Sequence, residues 1–310
     1  MTRRIATNRK DLLFEKATAL FALGVLGLAL LLFALLVRES LPAIRRFGFS
    51  FLTGTAWDPV FEEYGALPFL YGTVVSSVLA LLIAVPFGVG AAIYINEFAP
   101  PRLRTPVAFV AELLAAVPSV IYGLWGIFVL IPFLRDWVMK PVSGALGWIP
   151  IFRGPVYGPS LLAAGVLLSI MIVPFILSVS REVLATVPRV QKEAVLGLGG
   201  TRWEMIRIAI GQHCLPGIFG AMILGLGRAL GETMAVTMVI GNRPDILPSL
   251  FQPGYSMAAM IANEFTEATG ELYLSALVEI GLVLFLLTLV VNLLAKGILK
   301  RMVARASRGL

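Results

Sequence analysis

The chain has 310 residues, of which 58% are hydrophobic and only 14% charged, with a mean hydropathy of +0.91. That balance excludes a soluble globular protein of this length and points to the bilayer as solvent. The formal charge of +7 is concentrated in alternate loops, the pattern of membrane orientation, and so does not imply nucleic acid.

A 20-residue helix crosses the roughly 30 Å hydrocarbon core. Six apolar runs of about that length occur, at residues 17–37, 70–95, 106–134, 160–180, 216–241 and 272–296. Unbroken runs of this kind fit helices rather than barrel strands, so the expected fold is an all-α polytopic membrane protein. Pro86, Pro118 and Pro174 fall inside three runs and are expected to kink them. The first run follows Arg3, Arg4, Arg9, Lys10 and Lys16 but is too long for a signal peptide, and so reads as an uncleaved span. With the amino terminus inside, the inner segments carry 17 Lys and Arg and the outer segments 7, which places both termini in the cytoplasm.

The outer segment 38–69 lacks a long helical period and reads as an ordered loop with short elements. Residues 135–159 hold four prolines, four glycines and the interfacial Trp137 and Trp148, and read as an external hairpin. Cys214 cannot form an internal disulfide, and with His213 alone beside it the pair is too small for a metal site. No internal repeat appears. The chain divides into 1–69 (terminus, first span, outer loop), a five-helix domain at 70–296 and a basic tail at 297–310.

The longest inner loop, 181–215, is amphipathic. Val183, Leu184, Val187, Val190, Val195, Leu196 and Leu198 alternate with charged residues, a pattern that wants a partner surface or lipid headgroups. The order of residues favours a partner. Glu193-Ala194-Val195-Leu196-Gly197-Leu198-Gly199 resembles the EAA loop of ATP-binding-cassette importer permeases, and the likeness runs on through Thr201, Trp203 and Glu204. That resemblance implies a short coupling helix docked on a cytoplasmic ATPase. A small residue lets such a helix seat closely, and a glycine supplies a turn that other residues resist. The motif departs from the pattern where Gly211-Gln212 stand in place of Leu-Pro.

The run 216–241 holds Arg228 and Glu232, four residues apart and hence expected on one helix face near mid-membrane. A charge there costs roughly 2.5–3.5 kcal/mol on insertion scales, so it calls for a partner or a water-lined path. A structural ion pair is one reading. A substrate path is favoured by Ala221, Gly225, Gly231 and Ala235, read as lining the same face, and by the weaker Arg-then-Glu order of the pair. An arginine fork also matches tetrahedral oxyanions. Glu279 and Glu112 are the other acids at membrane depth, candidates for a secondary path or a counter-ion.

Residues 225–237, together with Trp57-Asp58-Pro59, Gly65 to Phe69 and Glu112 to Gly126, closely resemble PstC-type permeases of phosphate importers. The resemblance implies a type I (MetI-like) importer fold in the inner membrane and a role for Arg228 and Glu232 in phosphate passage. It further implies a homologous second permease (PstA-like), a cytoplasmic ATPase dimer (PstB-like) and an external phosphate-binding protein (PstS-like). No Gly-x-x-x-x-Gly-Lys-Ser/Thr loop occurs, so ATP and magnesium are expected in the partner, with no cofactor in this chain and no enzyme activity of its own. Another oxyanion, sulfate or molybdate, and an ATP-independent anion transporter are the competing readings.

Overall fold

The computed structural model describes residues 9–306, apart from the side chains of 9, 10, 209, 210, 212, 213 and 303–306. Arg3, Arg4, the side chain of His213 and the end of the basic tail therefore lie outside the described residues. Among the described residues, six helices are long and apolar enough to cross a membrane: Asp11–Phe47, Leu67–Phe98, Ser119–Leu146, Leu161–Ala185, Cys214–Gly231 and Glu271–Met302.

The number matches the six runs, but three of the runs differ in extent. The first helix continues ten residues past 37, to Phe47, through Pro42. A proline there removes a donor from the helical ladder. The Ser275 hydroxyl of the sixth helix repairs the neighbouring turn, accepting from the Ala43 N–H at 3.1 Å and donating to the Glu39 carbonyl at 2.8 Å. Further along the same seam, Phe33 meets Phe285 with ring centroids 5.6 Å apart.

The run 106–134 is not one helix. A 16-residue helix, Pro101–Ala116, stops at Val117, whose ψ of 130° is the extended value that a following proline imposes. Span three starts beyond Pro118, at Ser119. It then runs on to Leu146, so residues 135–146 are helical and the expected hairpin begins only at Gly147. Two contacts support that extension: Leu134 and Met139 are buried, and Asp136 bonds Arg135 at 3.1 Å and Lys140 at 2.7 Å. At Pro86 and Pro174, by contrast, the helices continue.

The run 216–241 is broken too. Its helix, Gly211–Gly231, ends before Glu232, and a separate six-residue helix, Met234–Val239, follows. Side chains take up the freed backbone groups: the Thr233 hydroxyl donates to the Gly231 carbonyl at 3.3 Å and the Thr237 hydroxyl to that of Thr233 at 2.8 Å.

The fourth helix is the scaffold. In it 61% of the most apolar window is buried, against 0% for the first helix. Ser160 caps it by accepting from the Ala163 N–H at 3.1 Å. Ala163, Ala164, Leu167, Leu168, Ile172 and Ile176 form the centre of the core, packed on Ala80 and Ala84 of the second helix. On the side away from the 181–215 loop, the segment after Phe47 forms a short helix, Ser50–Thr53, and a hairpin pairing Trp57–Asp58 with Glu63–Tyr64. Trp57 and Tyr273 both donate to the same Glu264 carboxylate oxygen, at 2.9 and 2.6 Å, which fastens the loop to the sixth helix.

Candidate functional site

Two regions carry the residues singled out by sequence. The first centres on Arg228. Around the fifth helix, 100° per residue separates two faces. Ala221 and Gly225 lie on one: Ala221 is buried, and a Cβ on Gly225 would stand 3.1 Å from a side-chain carbon of Ile176 on the fourth helix. Gly220, Leu224, Gly227 and Gly231 lie on the other, where Leu224 is 63% exposed and a Cβ on any of the three glycines would have no neighbour within 4 Å. Arg228 stands on the border between them.

The expected stripe of small residues therefore divides by role. Ala221 and Gly225 serve helix packing, and Ala235 belongs to the separate short helix, where its Cα is 3.1 Å from the position of a Cβ on Gly123 of span three. Only Gly231 of the four faces open space. A different set, Gly220, Gly227 and Gly231, makes the unfilled face.

The guanidinium carbon of Arg228 lies 4.3 Å from the centroid of the Phe175 ring on the fourth helix, a close cation–π arrangement. Its Nε is buried with no hydrogen-bond partner. Among the described residues Arg228 forms no ion pair with Glu232, Glu279 or Glu112. The expectation that Arg228 and Glu232 share one helix face fails, because the helix ends at Gly231 and Glu232 lies in the break. There the Glu232 carboxylate is 3.5 Å from the Ala235 N–H, at the start of the next short helix. Arg228 is thus a half-buried cation with one buried donor left over beside an unfilled face, an arrangement able to hydrogen-bond an anion.

Glu279 is 6% exposed on the sixth helix, with one carboxylate oxygen buried and unpartnered. Glu112 is not near the end of a continuous third span. It sits on the separate helix Pro101–Ala116, 59% exposed, with Arg181 at 4.0 Å.

The second region is the segment between the fourth and fifth helices. Pro188 starts a helix, Arg189–Gly197, that ends in a Schellman turn: Gly200 N–H donates to Val195 at 3.1 Å and Gly199 N–H to Leu196 at 3.0 Å. Gly199 has φ +84°, the left-handed conformation expected of the motif glycine. Sequence reasoning passed over Gly200, where a Cβ would press on the Val195 carbonyl at 2.7 Å. Glu193, Ala194, Leu198 and Trp203 are exposed, Leu198 by 91% and Trp203 by 69%. Exposed apolar side chains of this size outside the spans are of the kind a partner surface can cover.

Thr201 and Glu204 do a different job. They form a capping box at the next helix, Arg202–Met205: the Thr201 N–H donates to Glu204 at 2.7 Å and the Glu204 N–H to Thr201 Oγ1 at 3.3 Å. These bonds from Thr201 hold the Glu204 carboxyl below the usual carboxylate range. Through a π-helical turn, Ile206–Ile210, this helix runs straight into the fifth span, so Gly211 and Gln212 stand inside a continuing helix where the motif's Leu-Pro pair was expected. Among the described residues no cluster of His, Cys, Asp and Glu could hold a metal ion.

Comparison with known proteins gives a consistent picture. The profile of a family described as "Binding-protein-dependent transport system inner membrane component" matches residues 84–306. The phosphate transport system permease protein PstC of Mesorhizobium japonicum is 48% identical over 98% of this chain and 93% of its own length. PstC of Haemophilus influenzae is 47% identical over 94% and 93%. A probable PstC of Methanocaldococcus jannaschii is 40% identical over 85% of each. Among solved structures, an inward-facing MetNI methionine transporter chain aligns with a TM-score of 0.55 at 19% identity, over 77% of this chain and 94% of that one.

Proposed function

This chain belongs to the family of binding-protein-dependent transport system inner membrane components, and we propose that it is the permease subunit through which an ATP-driven importer moves inorganic phosphate. The observation that carries the reading is Arg228, stacked on Phe175 with a buried, unsatisfied Nε at the edge of an unfilled helix face. A guanidinium so placed offers hydrogen bonds to a tetrahedral oxyanion, and phosphate suits that geometry.

The chain sits in the cytoplasmic membrane with both termini inside, as its Lys and Arg distribution favours. Residues 70–296 form the transport domain. A second, homologous permease covers the open face of the fifth helix, so that the path runs between the two. A solute-binding protein delivers phosphate from outside. An ATPase dimer, which holds the ATP and magnesium, docks on Val190, Glu193, Ala194, Leu198 and Trp203. ATP binding closes the dimer, the coupling segment shifts, and the continuous helix from Arg202 carries the shift directly into the fifth span. Phosphate then meets Arg228 at mid-membrane. Glu232, in the break above it, tempers retention of the anion, since a permeant ion has to leave as well as enter. Glu279 and Glu112 have no assigned step.

Phosphate uptake in cells lacking this chain, with and without its restoration, tests the reading. Restored uptake that arsenate competes and sulfate does not is the expected result. Uptake competed by sulfate or molybdate would assign another oxyanion, and flux unaffected by loss of the partner ATPase would remove the ATP-driven mechanism.

A further inference from the structure

The coupling segment is joined by the chain to the fourth and fifth helices but to the second only through side chains. We propose that the ion pair between Lys192 and Glu97 is the linkage that carries ATP-driven motion into the second span; this rests on the importer reading above.

The geometry separates two faces of the short helix Arg189–Gly197. Val190, Glu193 and Leu196 point outward, free for a partner, while Lys192 and Val195, one turn apart, are half-buried. Lys192 Nζ donates to Glu97 Oε1 at 2.5 Å, and the two side chains are only 19% and 9% exposed. The same oxygen accepts from Asn96 at 2.9 Å. Next to the pair, the Arg202 guanidinium lies 5.9 Å from the Phe98 ring centroid. A small apolar cluster backs the contact: Ala92 of the second span with Val187, Met205, Ile206 and Cys214.

The pair stands apart from the other ion pairs in its burial. Each of the others has at least one partner more than 40% exposed, where water and salt take most of the attraction. At Glu97 the charge is sheltered, so pulling the partners apart would leave an uncompensated buried carboxylate. Apolar contacts alone tolerate sliding, whereas a hydrogen-bonded charge pair holds one register.

Both ends of the linkage also lie against π-helical turns. Glu97 is within a π-helical turn, Tyr94–Phe98, at the end of the second span, and the apolar cluster reaches the π-helical turn Ile206–Ile210 before the fifth. Kinks concentrate at such turns, and they recur at functional sites. Motion entering at Leu198 and Trp203 thus reaches the fifth span along the backbone and the second through Lys192.

The test uses the assembled complex with Glu97→Gln, Lys192→Met and the double exchange Glu97→Lys with Lys192→Glu. The single variants are expected to lower uptake roughly tenfold while ATP hydrolysis stays within about twofold, and the exchange to recover most of the uptake. A second readout needs no substrate: the nucleotide-dependent distance between spin labels at the exposed Phe87 of the second span and Leu293 of the sixth, in a Cys214→Ala background. That distance change is expected in the parent and lost in Glu97→Gln. Normal uptake with an unaltered distance change in both single variants would overturn the proposal. So would uptake and hydrolysis falling together with no recovery on exchange, which would make the pair a structural contact. A parent that changes distance with nucleotide yet imports no phosphate would instead overturn the substrate assignment and leave the linkage standing.

Discussion

Arg228 is placed by Phe175 of the fourth helix rather than by an acid. Phe175 supplies a π face at 4.3 Å, worth about 2 kcal/mol when desolvated, and leaves the guanidinium edge free for a ligand. Arg228→Gln is expected to abolish phosphate uptake with the complex intact and its ATP binding unchanged. Arg228→Lys keeps the charge but loses the planar fork, and a loss of one bidentate contact of about 1.4 kcal/mol would lower uptake about tenfold. Transport assays on both variants, with subunit assembly checked by co-purification, decide this. Glu204 gives a pH-dependent counterpart. Its folded pKa lies below the ordinary 4.5, so its capping contribution is complete above that value and is lost as pH falls through the lowered one. Amide-exchange protection of residues 201–206, compared between the parent and Glu204→Gln, is expected to differ near neutral pH and to converge on acidification.

At the scale of elements, the breaks matter more than the spans. The two discontinuities, at 117–118 and 232–233, are brought together because the helix that starts at Ser119 packs on Met234–Val239. Gly123 permits that approach: a Cβ there would stand 2.5 Å from the Met238 sulfur. Gly123→Val is expected to cost about 1–3 kcal/mol in overpacking, seen as a lower melting temperature of the purified complex. The helix Arg189–Gly197 has its own sensitive point. Gly199→Ala forces a side chain into the left-handed conformation at about 1–2 kcal/mol, and should weaken ATPase docking while leaving the membrane helices folded. Co-purification of the ATPase with that variant measures the effect.

At the scale of the whole molecule, one face of the fifth helix is left uncovered. Its fifth helix presents Gly220, Gly227 and Gly231 to empty space, with Leu224 among them, a closely approachable surface of the kind helices use to meet in membranes. A Cβ on Gly227 would meet nothing within 4 Å, so with Gly227→Trp the isolated subunit is expected to keep its melting temperature. Uptake by the assembled importer should nevertheless be lost, because the bulk enters whatever lies across that face.

Much of this was legible in the residues. Six spans follow from apolar length alone, since the hydrocarbon thickness sets how many residues a helix needs. The turn within 181–215 was readable because its motif is local: a left-handed turn demands glycine, and Gly199 is where that turn occurs. The breaks were not readable from hydropathy, which stays high through Val117-Pro118 and Glu232-Thr233 while the backbone leaves the helix. Pro86 and Pro174 show why no local rule sufficed, because identical chemistry at those positions leaves the helices continuous. Nor could the sequence say which side of the fifth helix is filled. A glycine can admit a neighbour, as Gly225 does Ile176, or face nothing, as Gly227 does, and only the packing of the fourth helix separates the two. The six-span count is thus a property of the chain's solvent, whereas the position of Arg228 beside Phe175, clear of Glu232, belongs to the tertiary fold: distant residues meet only where helices cross.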